Sequence, residues 1–100
     1  MYLIARFRAS DFDRWKRVFD DHEDVRVRHG GHGHRILRLL NDPHEYLVML
    51  DFASAGGAEG FSRDPSLLRA IEAAGIEGGA HHVSYTLEEC EEIDVSRYEL

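Results

Sequence analysis

The sequence predicts an α+β domain in which a four-stranded antiparallel sheet carries helices on one face. Three observations predict it. Four short runs, Tyr2 to Arg8, His34 to Asn41, Glu45 to Phe52 and Ala80 to Leu87, have the composition of strands. The segments between the first and second runs, and between the third and fourth, have the spacing and end signals of helices. A turn alone separates the second run from the third, which makes them an antiparallel hairpin. The resulting order β, α, β, β, α, β is the split βαβ, or ferredoxin-like, arrangement.

Tyr2 to Arg8 alternates as a strand does. Ser10 then supplies an N-cap, with Asp11 as a first-turn acid, for a helix expected from about Asp11 to Arg28. Asp11 and Asp13 stand at its start, Arg26, Arg28 and His29 at its end, and Gly30 and Gly31 follow, so dipole and C-cap signals agree on its direction. The next two strands are joined by Asn41, Asp42, Pro43 and His44, the first three strong turn formers. On the second of them Tyr46, Val48, Leu50 and Phe52 face one way and Leu47 and Met49 the other, so both sheet faces are apolar. Helices on one side would leave the second face wet, and a chain of 100 residues has too few helices to cover it. A homodimer packed through the sheet faces is the economical expectation.

Ser54 to Ser62 contains Gly56, Gly57 and Gly60, each costing about 0.8 to 1 kcal/mol against alanine inside a helix. A helix here is expected to be weak, mobile enough to gate a pocket. Asp64 and Pro65 form the N-cap and N1 pair of a firmer helix through Leu67, Leu68, Ile71 and Ala74, closed by Gly75. The last strand completes a domain expected over residues 1–87, followed by an acidic tail over 88–100.

Composition narrows the class of partner. With 43% apolar and 31% charged residues the chain is globular, and its longest apolar run, Tyr46 to Leu50, is far too short to span a membrane. No signal peptide is visible, and the single cysteine, Cys90, cannot form an internal disulfide, which points to the cytoplasm. Of the net charge of −7, the tail carries −5. No basic stripe faces a polyanion, so neither nucleic acid nor a membrane is an expected partner. Cys90 lies among glutamates that disfavour a thiolate, which makes it a poor nucleophile.

Chemistry concentrates on the first helix. Trp15, Phe19, His22, Arg26 and Gly30 follow one another at offsets of four, three, four and four, placing the four side chains on one helical face. An apolar stripe that turns into an imidazole and a guanidinium fits a helix that builds core at one end and lines a small-molecule pocket at the other. His22 and Arg26, neighbours at i and i+4, can jointly hold a carboxylate, phenolate or enolate oxygen. In such a pocket His22 is the candidate catalytic base, Arg26 the oxyanion stabiliser, and Trp15 and Phe19 the substrate-contacting walls. The bland alternatives are an exposed His22–Arg26 pair bonded to acids such as Glu23, and a Trp15 that only fills core. On the last strand His81, Val83 and Tyr85 share one side and His82, Ser84 and Thr86 the other, so one of the two histidines faces inward; alternation alone does not choose between His81 and His82, and His81 with Tyr85 is the candidate pair for substrate contact. His29, His32 and His34, with His81 and His82, invite a metal, but their spacing matches no ligand box and the loop is flanked by glycine. No metal site is assigned and no cofactor is expected. The chain also has no nucleophile elbow, phosphate loop, paired CxxC or HExxH.

The helix pattern Trp15, Phe19, His22, Arg26, Gly30, followed by Arg38, Asp42-Pro43, Phe61, Pro65, Leu67 and Ala74-Gly75, resembles a group of small bacterial dimeric α/β-barrel proteins. These are sometimes labelled cyclase-like and are related to the antibiotic biosynthesis monooxygenase superfamily. The resemblance covers about residues 1 to 87. It implies a dimeric barrel and one of several activities: cofactor-free oxygenation, polyketide cyclisation, lactone isomerisation or haem degradation. The asparagine, tryptophan and histidine set of the haem-degrading branch has no counterpart, because Asn41, the only asparagine, falls at a predicted turn. What carries over is the helix face of Trp15, Phe19, His22 and Arg26. The expected function is therefore a cofactor-free monooxygenase, cyclase or isomerase acting on an aromatic or polyketide-like molecule. A non-catalytic ligand-binding or stress-related dimer is the alternative, and a haem or metal protein the third reading.

Overall fold

The computed structural model describes residues 1–78, 83–88 and 90. Within them the chain runs β1 (Tyr2–Ala9), α1 (Phe12–Asp21), α2 (Glu23–Arg28), β2 (Gly31–Leu39), β3 (Asp42–Phe52), α3 (Ala55–Ser62), α4 (Pro65–Ala73), β4 (Ile76–Glu77) and β5 (Val83–Leu87). The strand order is β2-β3-β1, and β4 and β5 share the remaining edge of β1. β5 pairs with Tyr2 to Arg6 and β4 with Arg8 and Ala9, so the two short strands fill one sheet position. Every pairing is antiparallel. This is the ferredoxin-like α+β fold that the order of elements predicts.

The register β1 to β3 pairs Leu3 with Leu50, Ala5 with Val48 and Phe7 with Tyr46. Those side chains, with Phe52, face the helices and, apart from the half-buried Ala5, form half of the buried core. A run of stacked rings crosses the layer from Tyr46 through Phe7 and Trp15 to Phe19, with centroid separations of 5.6, 4.7 and 4.9 Å. The opposite face carries Ile4, Leu47 and Met49, half-buried, beside the exposed Leu37 and Tyr85.

Four local features depart from the sequence-based expectations, each for a physical reason. The helix expected over Asp11 to Arg28 is broken at His22, where φ −94° and ψ 6° form a turn. The break is stabilised because the His22 amide donates to both Val18 and Phe19 carbonyls, and the Arg26 guanidinium folds back onto the Phe19 carbonyl at 2.8 Å. The hairpin turn is Leu40–Asn41, tighter than the expected Asn41 to His44, and Leu39 already pairs with Asp42. Asp42 Oδ1 accepts the His44 amide at 3.1 Å, and the register shift between Arg38 and Leu39 accommodates Pro43 where no ladder donor is required.

α3 forms despite its glycines because two of them serve packing. A Cβ on Gly57 would lie 2.1 Å from the His29 carbonyl oxygen, and one on Gly60 3.0 Å from the His29 ring. Their absence lets the helix sit against His29 while Ala58 and Phe61 are buried. Finally, the short strand β4 lies ahead of the expected last strand, whose described part begins at Val83. Ala80 to His82 and most of the acidic tail lie outside the described residues. Around α4 the sequence signals hold: Asp64 caps it, Pro65 follows, and Gly75 takes φ +72° after its end. Arg14 on α1 donates to the Ala73 carbonyl at 2.9 Å, tying the two helices together at this end.

Candidate functional site

Away from that tie, α1 and α4 stand apart and leave a cavity of about 540 Å³ between them and the sheet. Leu3, Phe7 and Leu50 form its floor, Trp15, Phe19, His22 and Arg26 one wall, and Phe61, Leu67 and Ile71 the wall opposite. The four residues of the helix face are thus brought together, although α1 ends before His22. The turn at His22 keeps all four on one wall. Trp15, only 4% exposed, belongs to the core and to the cavity at once.

Arg26 is 6% exposed. Its guanidinium carbon lies 3.7 Å from the centre of the Phe19 ring, and one of its nitrogens is held by the Phe19 carbonyl. Among the described residues no carboxylate stands within ion-pair distance of it. Burial pulls its pKa down, against the more distant Glu23, Asp20 and Asp24, but an arginine stays charged in any protein setting. A buried cation satisfied by one carbonyl and one ring has donors to spare, and these reach accessible space, since no buried side-chain nitrogen or oxygen among the described residues lacks a partner. Arg26 also borders a smaller cavity of about 340 Å³ shared with Glu23, His32, His34 and Asp51.

His22 is not bonded to Glu23. Its Nε2 lies 2.8 Å from Ser66 Oγ, Ser66 Oγ lies 2.6 Å from Asp64 Oδ1, and His29 Nε2 lies 2.9 Å from Asp64 Oδ2. Burial, followed by the nearby Arg26, lowers the His22 pKa from its ordinary value and so favours the neutral ring. The Asp64 carboxyl is held well below the usual carboxylate range by the His29 contact first and the Ser66 bonds next.

The remaining candidates go elsewhere. Tyr85, expected to contact substrate, pairs with Ile4 on the outer sheet face and is 59% exposed, away from this cavity. The register decides this, because Ile4 alternates with the cavity-facing Leu3 and Ala5. His81 lies outside the described residues. The loop histidines part company: His29 turns to Asp64, His32 to Asp51, and His34 packs edge-on against Phe19. Among the described residues no three histidine, cysteine or acidic side chains are placed to hold a metal ion. Sequence reasoning missed Ser66 and Asp64 as site residues, since Asp64-Pro65 carries only the signature of a helix start. The available hint was that an N-cap aspartate uses one oxygen on the helix and keeps another free.

No protein-family profile and no curated protein matches the chain. Solved structures do share its fold. A cofactor-independent oxygenase from Streptomyces nogalater, SnoaB, is 16% identical with a TM-score of 0.65, over 88% of this chain and 92% of that one. A candidate antibiotic biosynthesis monooxygenase from Bordetella bronchiseptica is 12% identical with a TM-score of 0.67, over 88% and 96%. Another from Deinococcus radiodurans is 14% identical with a TM-score of 0.62, over 94% and 99%. At such identities the likeness establishes an antibiotic biosynthesis monooxygenase-like fold. The chemistry must be argued from the site.

Proposed function

We propose that this chain binds a small enolisable aromatic or polyketide-like molecule in the larger cavity and, without a bound cofactor, converts it by oxygenation, cyclisation or isomerisation. The observation that carries the reading is a buried guanidinium without a carboxylate partner among the described residues, four positions from a histidine held by Ser66, on the wall of an apolar cavity. His22 is the catalytic base and Arg26 the anion stabiliser. As a substrate C–H or O–H bond breaks, its proton goes to the His22 ring and the electron pair settles on an enolate or phenolate oxygen, whose charge Arg26 balances. Trp15 and Phe19 supply the apolar wall against which an aromatic ligand stacks. The activity named for SnoaB supports oxygenation among the three outcomes, with dioxygen as co-substrate. In this reading the chain works as a cytoplasmic homodimer, a second copy covering the outer sheet face.

Two probes test it. Anthrone, a tricyclic ketone with an acidic C–H, reports proton abstraction by deuterium exchange and oxygenation by dioxygen uptake. Salicylate, an aromatic carboxylate, reports anion binding by calorimetry. His22→Ala is expected to slow anthrone exchange by roughly 10² to 10⁴-fold while changing salicylate affinity little. Salicylate binding that depends on Arg26, without anthrone turnover, would make the protein a non-catalytic receptor. Indifference of both probes to His22→Ala and to Arg26→Met overturns the pocket reading itself.

A further inference from the structure

The polar chain beside the cavity has only one consistent arrangement of its hydrogens. Ser66 owns a single hydroxyl hydrogen, and the ionised Asp64 carboxylate, 2.6 Å away, can only accept. The hydroxyl hydrogen is therefore committed to Asp64. Ser66 Oγ is left as an acceptor toward His22 Nε2 at 2.8 Å, so that nitrogen carries the ring hydrogen. His29 Nε2 in turn donates to the second oxygen of Asp64. The lone pair of His22 consequently sits on Nδ1. That atom has no hydrogen-bond partner among the described residues and, because no buried side-chain nitrogen or oxygen is unsatisfied, it is accessible.

We infer that Ser66 and Asp64 are positioning residues for His22, locking it as the Nε2–H tautomer and making Nδ1 the atom that takes the substrate proton. The inference rests on the proposed role of His22 as base. Its chemistry balances within the site: the substrate C–H bond breaks, Nδ1–H forms, and the electron pair passes to the substrate oxygen. The new positive charge on the ring is then shared through Nε2–H and Ser66 with Asp64, which stays ionised because His29 and Ser66 hold its carboxyl down. The other charged groups around His22 are Arg26 and Arg28, which oppose an imidazolium, and Asp24, which favours it, while Phe61 lies against the ring at 5.7 Å. Asp64 is thus the acidic partner joined to the ring by hydrogen bonds. His29 completes the support from the far side, in the space that Gly57 and Gly60 leave open.

The test is nitrogen–proton correlation NMR on the imidazoles of the full chain, with a pH titration. The wild-type protein should show neutral His22 with a pyrrole-type Nε2 and a pyridine-type Nδ1. Ser66→Ala should admit the Nδ1–H tautomer and move the His22 titration to lower pH. Asp64→Asn, which keeps an oxygen for the helix cap and so keeps the fold, should also lower it. Ser66→Thr, retaining a hydroxyl, should restore the wild-type pattern. In the anthrone exchange assay Ser66→Ala should lower kcat about tenfold or more, part of the roughly 10² to 10⁴-fold share of a positioned base, with KM kept. An Nδ1–H tautomer in the wild type, or a Ser66→Ala spectrum and titration identical to it, overturns the inference. A locked tautomer in a protein inactive on anthrone would count against the proposed function and not against the positioning.

Discussion

Under the proposed function, Arg26 is a residue that gives the fold little and the site much. Its guanidinium is largely desolvated, with no carboxylate among the described residues to offset the loss but with the Phe19 carbonyl and ring as partners, so replacing it with an apolar side chain of similar length should change stability little. Arg26→Met is therefore expected to leave the urea midpoint nearly unchanged while weakening salicylate binding by about 1.5 to 3 kcal/mol, roughly 10- to 150-fold. Equal loss of stability and binding would mean that Arg26 serves the fold. His22 makes a second, pH-linked prediction. Its pKa is lower folded than unfolded, so the unfolded chain takes up the proton first. The contribution of His22 is whole above the ordinary histidine pKa of about 6.5 and is lost as pH falls below it. Asp64, also depressed, adds a loss of the same sign further down, through the carboxylate range. Urea midpoints measured from pH 8 to pH 5 should fall for the wild type and fall less for His22→Gln.

At the scale of elements, α3 separates propensity from packing. Helix propensity alone says that alanine at any of its glycines is stabilising. The structure divides them. At Gly56 an added Cβ meets only Ser54 Oγ at 4.0 Å, so Gly56→Ala should stabilise by about 0.5 to 1 kcal/mol. At Gly57 the same Cβ would lie 2.1 Å from the His29 carbonyl, so Gly57→Ala should destabilise by about 1 to 3 kcal/mol. Urea unfolding of the two variants checks the sign of each, and stabilisation at both positions would mean that α3 does not sit against His29. The turn at His22 belongs to this scale as well. By ending α1 there, the chain turns a helical residue into one that reaches α4 and Ser66.

At the scale of the whole molecule, the second sheet face is the surface that a second copy would cover. Ile4, Leu37, Leu47, Met49, Tyr85 and Leu87 lie on it, with Leu37 48% and Leu87 44% exposed. Arg6 pairs with Glu45, and Arg8 with Asp42, Glu45 and Glu77, giving the same face a charged margin. An apolar centre with a paired polar rim suits a self-complementary interface. Light scattering at micromolar concentration should give twice the chain mass of 11.5 kDa. Met49→Glu, directed at the centre, should yield the monomer mass. A wild-type monomer would refute the packing argument.

Periodicity and end signals in the sequence were sufficient for the element order, the fold class, the Asp64-Pro65 helix start and the shared face of Trp15, Phe19, His22 and Arg26, because each depends on neighbours within a few residues. They were insufficient for the hydrogen-bond chain from His22 through Ser66 and Asp64 to His29, whose links join residues 44 and 35 positions apart. Nor could they place Tyr85, whose face follows from pairing with Ile4, or explain Gly57, whose missing side chain matters only where His29 approaches. Local spacing determines which residues share an element, whereas the partners of a buried polar group are chosen by how distant elements pack. Only the tertiary structure brings α1 and α4 to opposite sides of one cavity and thereby engages Nε2 of His22 with Ser66, leaving Nδ1 without a hydrogen-bond partner among the described residues.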